Sequence, residues 1–146
     1  MAEYRITITG FDTGLNEMLN GVFFDYKAKR LVNRVKYKYD QLIVKQLRFS
    51  DLRNVKLKTP IEIHYKVYAK DKKHDRMNIG SAFDKCFCDS LQKAGILHND
   101  GWNDIVNATF EYDIDKLNPR IEVRIVEIEN EAVETPKKAT RHKLST

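Results

Sequence analysis

The feature that most restricts the fold is one helical stripe set between segments of alternating sequence. Ile79, Ala82, Phe83, Cys86, Phe87, Leu91 and Ala94 recur at the i, i+3, i+4 spacing of a helix with one buried face. Gly95 then stands where a left-handed C-cap belongs. At about 1.5 Å per residue, the sixteen residues from Ile79 to Ala94 span roughly 24 Å. Before the helix, Ile61-Glu62-Ile63-His64-Tyr65-Lys66-Val67-Tyr68 alternates strictly, and Pro60 opens the run. After it, Ile121 to Ile128 alternates with one slip, which predicts a β-bulge.

Two more strands and a second helix follow from the same rules. Tyr4 to Thr9 alternates with β-branched residues and reads as a first strand, ended by Gly10, Asp12 and Gly14. An irregular connection beginning at Leu15-Asn16-Glu17 runs to about Phe24, with Phe23, Phe24 and Tyr26 as expected core anchors. Arg30 to Leu47 repeats Leu31, Val35, Tyr39, Leu42, Ile43 and Leu47 at helical spacing. Trp102 to Asp113 predicts another strand, with Ile105 and Phe110 inward and an irregularity near Val106; Asp115, Asn118 and Pro119 make the turn after it. The order β, α, β, α, β, β predicts an α+β fold: one compact domain over 1–129, with helices packed on a mainly antiparallel or mixed sheet. The stretch 130–146 lacks periodicity, ends in a basic run and reads as a disordered tail able to add electrostatic grip.

Composition narrows the class. The 146 residues are 42% hydrophobic and 32% charged, enough for a real core in a charge-rich protein. No apolar run approaches the roughly 18 to 20 residues of a membrane span, and the charged, alternating N-terminus is no signal peptide, so an intracellular, cytoplasmic location is expected. Cys86 and Cys88 point in different directions on a helix, which predicts reduced core thiols rather than a disulfide or a zinc site. His64 falls on the polar phase of its strand, where an exposed or hydrogen-bonded histidine is expected rather than a ligand. The net charge of +5 is unevenly spread. Lys27 to Lys58 holds eleven Lys or Arg against Asp40 and Asp51, a local +9. His98 to Glu131 holds nine Asp or Glu against Lys116, Arg120 and Arg124, a local −6. Such a dipole fits a basic face turned to nucleic acid, and equally an ordinary solvated helix face.

The chemistry concentrates in Asp75 to Trp102. Asp75 precedes the helix, Lys85 and Asp89 lie one turn apart on its polar side, and Asp100 follows the glycine stop. The basic run Lys70-Asp71-Lys72-Lys73-His74 leads in. Magnesium prefers oxygen ligands and keeps several waters, so two or three carboxylates plus substrate phosphates can hold it. A lysine beside them suits the charge developing on a scissile phosphate. Lys85 and Asp89 read equally as a plain i, i+4 ion pair.

The same stretch resembles the RusA family of Holliday-junction resolvases, whose pattern is a basic run, Asp-x-Asp-Asn, a helical lysine four residues before Asp-Ala-Leu, then Ala-Gly and an Asn-Asp or Asp-Asp. Asp75 and Asn78 match the first motif, Lys85 stands four before Asp89-Ser90-Leu91, and Ala94-Gly95 and Asn99-Asp100-Gly101-Trp102 complete it. The strand order agrees from residue 4 to about 128. The resemblance implies a dimeric, bacterial or phage-encoded nuclease that uses Mg²⁺ (or Mn²⁺) to cut four-way DNA junctions. Asp75, Asp100 and Lys85 would be catalytic, Asp75, Asp100 and Asp89 would ligate metal, and Lys70, Lys72, Lys73, Arg76 and Asn78 would contact DNA. One departure matters. The second Asp of Asp-x-Asp-Asn is Met77, and a thioether is a poor magnesium ligand. About four extra residues also separate Asn78 from Lys85 relative to the shortest members, roughly one helical turn. Either Asp71, Asp84, Asp89 or His74 replaces the missing carboxylate, or the chain is a branched-DNA binding protein that has lost cleavage.

Overall fold

A computed structural model of the chain describes residues 2–11, 26–72 and 76–129, with backbone alone at 26–33 and 77–78. The elements are β1 (Glu3–Ile8), α1 (Tyr26–Arg48), β2 (Ile61–Ala69), α2 (Arg76–Lys93), β3 (Ile105–Ile114) and β4 (Arg120–Glu127). They form an α+β domain with a four-stranded sheet in the order β1-β4-β2-β3. β4 runs antiparallel to both β1 and β2, and β2 runs parallel to β3. Parallel neighbours cannot be joined by a tight hairpin, so the chain needs a crossover between them, and α2 supplies it. Among the described residues no helix is long and apolar enough to cross a membrane.

The alternation of β2 becomes two different sheet faces. Ile61, Ile63, Tyr65 and Val67 are buried, and their register sets them beside Ile121, Val123 and Ile125 of β4. Ile6 and Ile8 extend this apolar face onto β1. The opposite face is polar, with Arg124 bonded to Glu3 at 3.3 Å and Arg120 stacked 3.8 Å over the Tyr68 ring. His64 lies on that face, bonded to Thr109 at 2.6 Å and to Glu62 at 3.1 Å, as its phase predicts.

α2 seats on the apolar face through an aromatic cluster. Phe83 and Phe87 stack with centroids 5.4 Å apart, and both meet Tyr65 edge-on, at 5.7 and 6.0 Å. Such pairs add about 0.5–1.5 kcal/mol each beyond the area they bury. Phe11 closes the cluster against Phe83 and Tyr39, linking it to α1. The C-terminus of α2 ends as expected. Gly95 has φ +74, its N–H donates to the Gln92 carbonyl, and the Ile96 N–H donates to the Leu91 carbonyl. Cys86 and Cys88 are buried free thiols.

The structure corrects several boundaries. α1 starts at Tyr26, four residues before the predicted Arg30. β3 starts at Ile105 rather than Trp102, because residues 101–104 form a turn in which the Asp104 and Ile105 N–H groups both donate to the Gly101 carbonyl. The pairing of β4 with β1 and β2 runs unbroken, so the slip near its end is not a bulge. Val126 is buried there on the face that Arg120, Glu122 and Arg124 share. The register shift lies instead where β2 meets β3: Ile61 pairs Ile105 while Glu62 pairs Asn107, leaving Val106 as the extra residue. The Leu15–Glu17 loop, Phe23, Phe24 and the tail from 130 lie outside the described residues, as does the Tyr26 side chain.

Gly80 marks the close approach of α2 to β3. A Cβ there would run into the Tyr112 hydroxyl and sit 3.0 Å from Phe110 Cδ1. Gly80→Val should therefore cost about 1–3 kcal/mol by overpacking, although valine is the better helix former. The expected readout is a lower urea midpoint at an unchanged m-value; an equal or higher midpoint would contradict the packing described.

Candidate functional site

One open cleft of about 480 Å³ lies between α2, the loop after it and the start of β3. α2 contributes Asp84, Lys85, Cys88 and Asp89, the loop Asp100, Gly101 and Trp102, and β3 Ile105, Val106 and Ala108. Helix geometry explains the first group. Residues 84, 85, 88 and 89 share one side of α2, next to the stripe of Phe83, Cys86 and Phe87 that enters the core. The loop is pinned at both ends. Ile96 and Leu97 are buried and the Ile96 carbonyl accepts from the Leu57 N–H at 2.9 Å, while the Asp104 carbonyl accepts from the Ile61 N–H at 2.8 Å. Between these anchors Asp100 is exposed, and Trp102 stands at the rim with 95% of its surface in solvent.

The cleft's carboxylates differ in how they are held. Asp84 Oδ1 accepts hydrogen bonds from the buried Tyr65 hydroxyl and from the Cys88 thiol. Asp89 pairs with Lys36 of α1 at 2.7 Å rather than with Lys85. Lys36 also bonds Asp40 at 2.8 Å, and Lys93 reaches the same oxygen of Asp40 at 2.6 Å. Asp40 is 1% exposed, and among the described residues no hydrogen-bond partner meets the geometry for its Oδ1. A chain of charge thus runs from a buried carboxylate on α1, through Lys36, to the cleft.

The thiols are kept protonated beside these acids. Burial, then the charge of Asp40, pushes Cys86 up to about 12. Cys88 is pushed up further still, by burial first and by the charges of Asp84 and Asp100 among the other causes. Burial, with Cys88 and Asp84, likewise raises the Tyr65 hydroxyl well above its usual value. A protonated thiol is a weak ligand, so the donors facing the cleft are carboxylate oxygens, the type that magnesium takes. Among the described residues no group of three or more His, Cys, Asp or Glu is gathered closely enough to hold a metal ion.

Of the residues expected at the site, Lys85, Asp89 and Asp100 share the cleft, and Asp84, one of the candidates to replace a missing carboxylate, joins them. Lys70, Lys72 and Arg76 are exposed around the start of α2, in hollows that also include Asp71. They line other hollows than the cleft: Arg76 and Lys85 are nine helical residues apart, roughly 14 Å along the axis. Lys73, His74 and Asp75 lie outside the described residues, as do the side chains of Met77 and Asn78. The sequence reading missed the Lys36–Asp40 pair and the bond from Tyr65 to Asp84. The signal for the first was an aspartate inside a basic helix, on the side that carries Leu47 and Tyr39.

Lys36 gives this site a pH dependence. Burial works to lower its pKa, but the hydrogen bonds and charges of Asp40 and Asp89 outweigh that, and it stands above the ordinary 10.5. A raised pKa means a stabilisation fully present below the unfolded value and lost as pH climbs through the folded one. Lys36→Met should cost up to about 3 kcal/mol, the low end for a broken buried pair, because Lys93 still neutralises Asp40. The difference from wild type in urea unfolding should stay flat from neutral pH to about 10 and shrink above that; a difference that grows with pH would refute the assignment.

Compared with models of protein families, the chain matches none, and no curated protein matches it either.

Proposed function

We propose that the chain is a magnesium-dependent, structure-selective endonuclease of the RusA kind, acting on four-way DNA junctions. The observation that carries this reading is that Asp84, Lys85, Asp89 and Asp100 line one open cleft, three of them being residues singled out by the family resemblance. In this reading Asp84 and Asp100 would hold the ion, Asp84 standing in for the carboxylate missing at Met77; Asp75, which the resemblance adds, lies outside the described residues. Mg²⁺ (or Mn²⁺) bound there would supply an activated water and offset charge on the attacking and leaving oxygens. Lys85 donates to the scissile phosphate and steadies its developing charge. Asp89 shares its charge with Lys36 through Oδ2, which weakens it as a ligand and suits it to fixing the cleft's electrostatics. Trp102, exposed at the rim, offers a face for a base unstacked at a branch. Lys70, Lys72 and Arg76, exposed around the start of α2, would grip the DNA backbone. A two-fold dimer would set one such site on each of two strands of a junction.

A second reading, a branched-DNA binding protein without cleavage, is favoured by the thioether at Met77 and by the commitment of Asp89 to Lys36. A synthetic four-way junction separates the two. The nuclease reading expects Mg²⁺-dependent nicking that falls about 10²–10³-fold in Asp100→Asn and in Lys85→Ala while binding persists. The second reading instead expects no nicking by the wild type and its recovery in Met77→Asp; where the wild type is active and Asp84 fills the role, Met77→Asp should leave cleavage unchanged. Junction binding with no nicking at any protein or metal concentration would leave the second reading standing.

A further inference from the structure

The outer face of α1 carries a stripe that the cleft does not use. Arg34, Lys38, Gln41, Lys45 and Arg48 follow one another at alternating spacings of four and three, so they form one line along the helix. All five are exposed, opposite the buried Tyr39, Ile43 and Leu47. From Arg34 to Arg48 the line runs roughly 21 Å. No carboxylate pairs with its four cations among the described residues. Asp40, the acid in this part of the helix, is turned inward and bonded to Lys36 and Lys93.

That arrangement differs from an ordinary solvated helix face. Exposed lysines and arginines are usually laced with acids three or four residues away, which offset them. Here Arg34 faces Lys38 across one turn and Lys45 faces Arg48, like charges held side by side. A single-sign row on a rigid rod is suited to a polyanion whose charges are also arrayed in a line. Tyr37, 61% exposed, flanks the row, and Phe49, 83% exposed, stands at its end. Aromatic faces beside a basic track fit nucleic-acid bases, and they argue for nucleic acid over a lipid headgroup surface. Lys36, the α1 residue that reaches Asp89, lies on the inward side, so this row is separate from the cleft.

We infer that the Arg34–Arg48 face of α1 is a docking track for the phosphate backbone of DNA, a second contact surface besides the cleft. This rests on the DNA-binding part of the proposed function and adds where the backbone lies. Each backbone phosphate neutralised releases counterions and contributes about 0.9 to the slope of log affinity against log salt.

The test compares two full-length variants that each lose three exposed positive charges. One carries Arg34→Gln, Lys38→Gln and Lys45→Gln; the other carries Arg53→Gln, Lys58→Gln and Lys116→Gln, off the track. Binding to a labelled four-way junction and to a plain duplex is measured by anisotropy across a salt series, with circular dichroism to verify folding. The track variant should lower the slope by about 2.7, which is roughly a 40-fold smaller loss of affinity between 50 and 200 mM salt. The off-track variant should change it by less than about 1. Equal changes in the two variants, or none in either, would overturn the inference while leaving any junction cleavage intact. No DNA binding by the wild type would overturn it together with the proposed function. Anionic phospholipid vesicles form a further arm: loss of vesicle binding in the track variant with DNA binding unchanged would assign the face to a membrane surface and refute the DNA track.

Discussion

The parallel pairing of β2 with β3 is the constraint from which the rest of the structure follows. It obliges the chain to cross the sheet between the two strands, and α2 is that crossing. α2 must then lie on the apolar face that β2 shares with β4, and Phe83 and Phe87 against Tyr65 decide how it lies. Gly80 allows the closest approach, and the Gly95 cap turns the chain back toward β3. The cleft is what remains open between the crossing helix, its return loop and the first residues of the strand it reaches.

A buried carboxylate organises the second seam. Asp40 is taken out of water between the helices, a costly state unless counter-charges come with it. Lys36 and Lys93 meet that need, one from each helix. Because Lys36 also holds Asp89, the group that neutralises the buried acid orients a carboxylate of the cleft. Ser90, buried in α2, bonds the Cys86 carbonyl at 2.6 Å and also reaches across the seam to the Asp40 carbonyl at 3.4 Å. Helix packing and site electrostatics are here one network, and α1 therefore has two distinct sides, an inward one that neutralises acids and an outward one that keeps a row of cations.

Much of the fold was legible in the chain. β2 and α2 announced themselves because a half-buried strand alternates and a half-buried helix repeats near every third or fourth residue, and both patterns are unbroken from Ile61 to Val67 and from Ile79 to Leu91. β3 was harder to bound. It is an edge strand whose outer residues, from Val106 to Thr109, face solvent, so burial does not impose a strict alternation on them. The slip at Val126 is no bulge: β4 pairs in unbroken register, and Val126 is one apolar residue buried on the otherwise polar face of the strand. At the site, the helical spacing of Lys85 and Asp89 correctly set them together on one side of α2. Their pairing was not legible, because Asp89's partner comes from a helix more than fifty residues away in the chain.

The sequence by itself determined the α+β class, the buried stripe of α2, its glycine stop and the two phases of β2, because each follows from the local period of side chains along a strand or helix. It also set the excess of positive charge along α1. Only the tertiary structure decided that β2 and β3 run parallel, that Asp84 and Asp100 face one cleft, that Asp40 is buried, and that Lys36 rather than Lys85 holds Asp89. Those outcomes depend on which elements pack together, and packing is settled by long-range burial and charge neutralisation that no local period encodes.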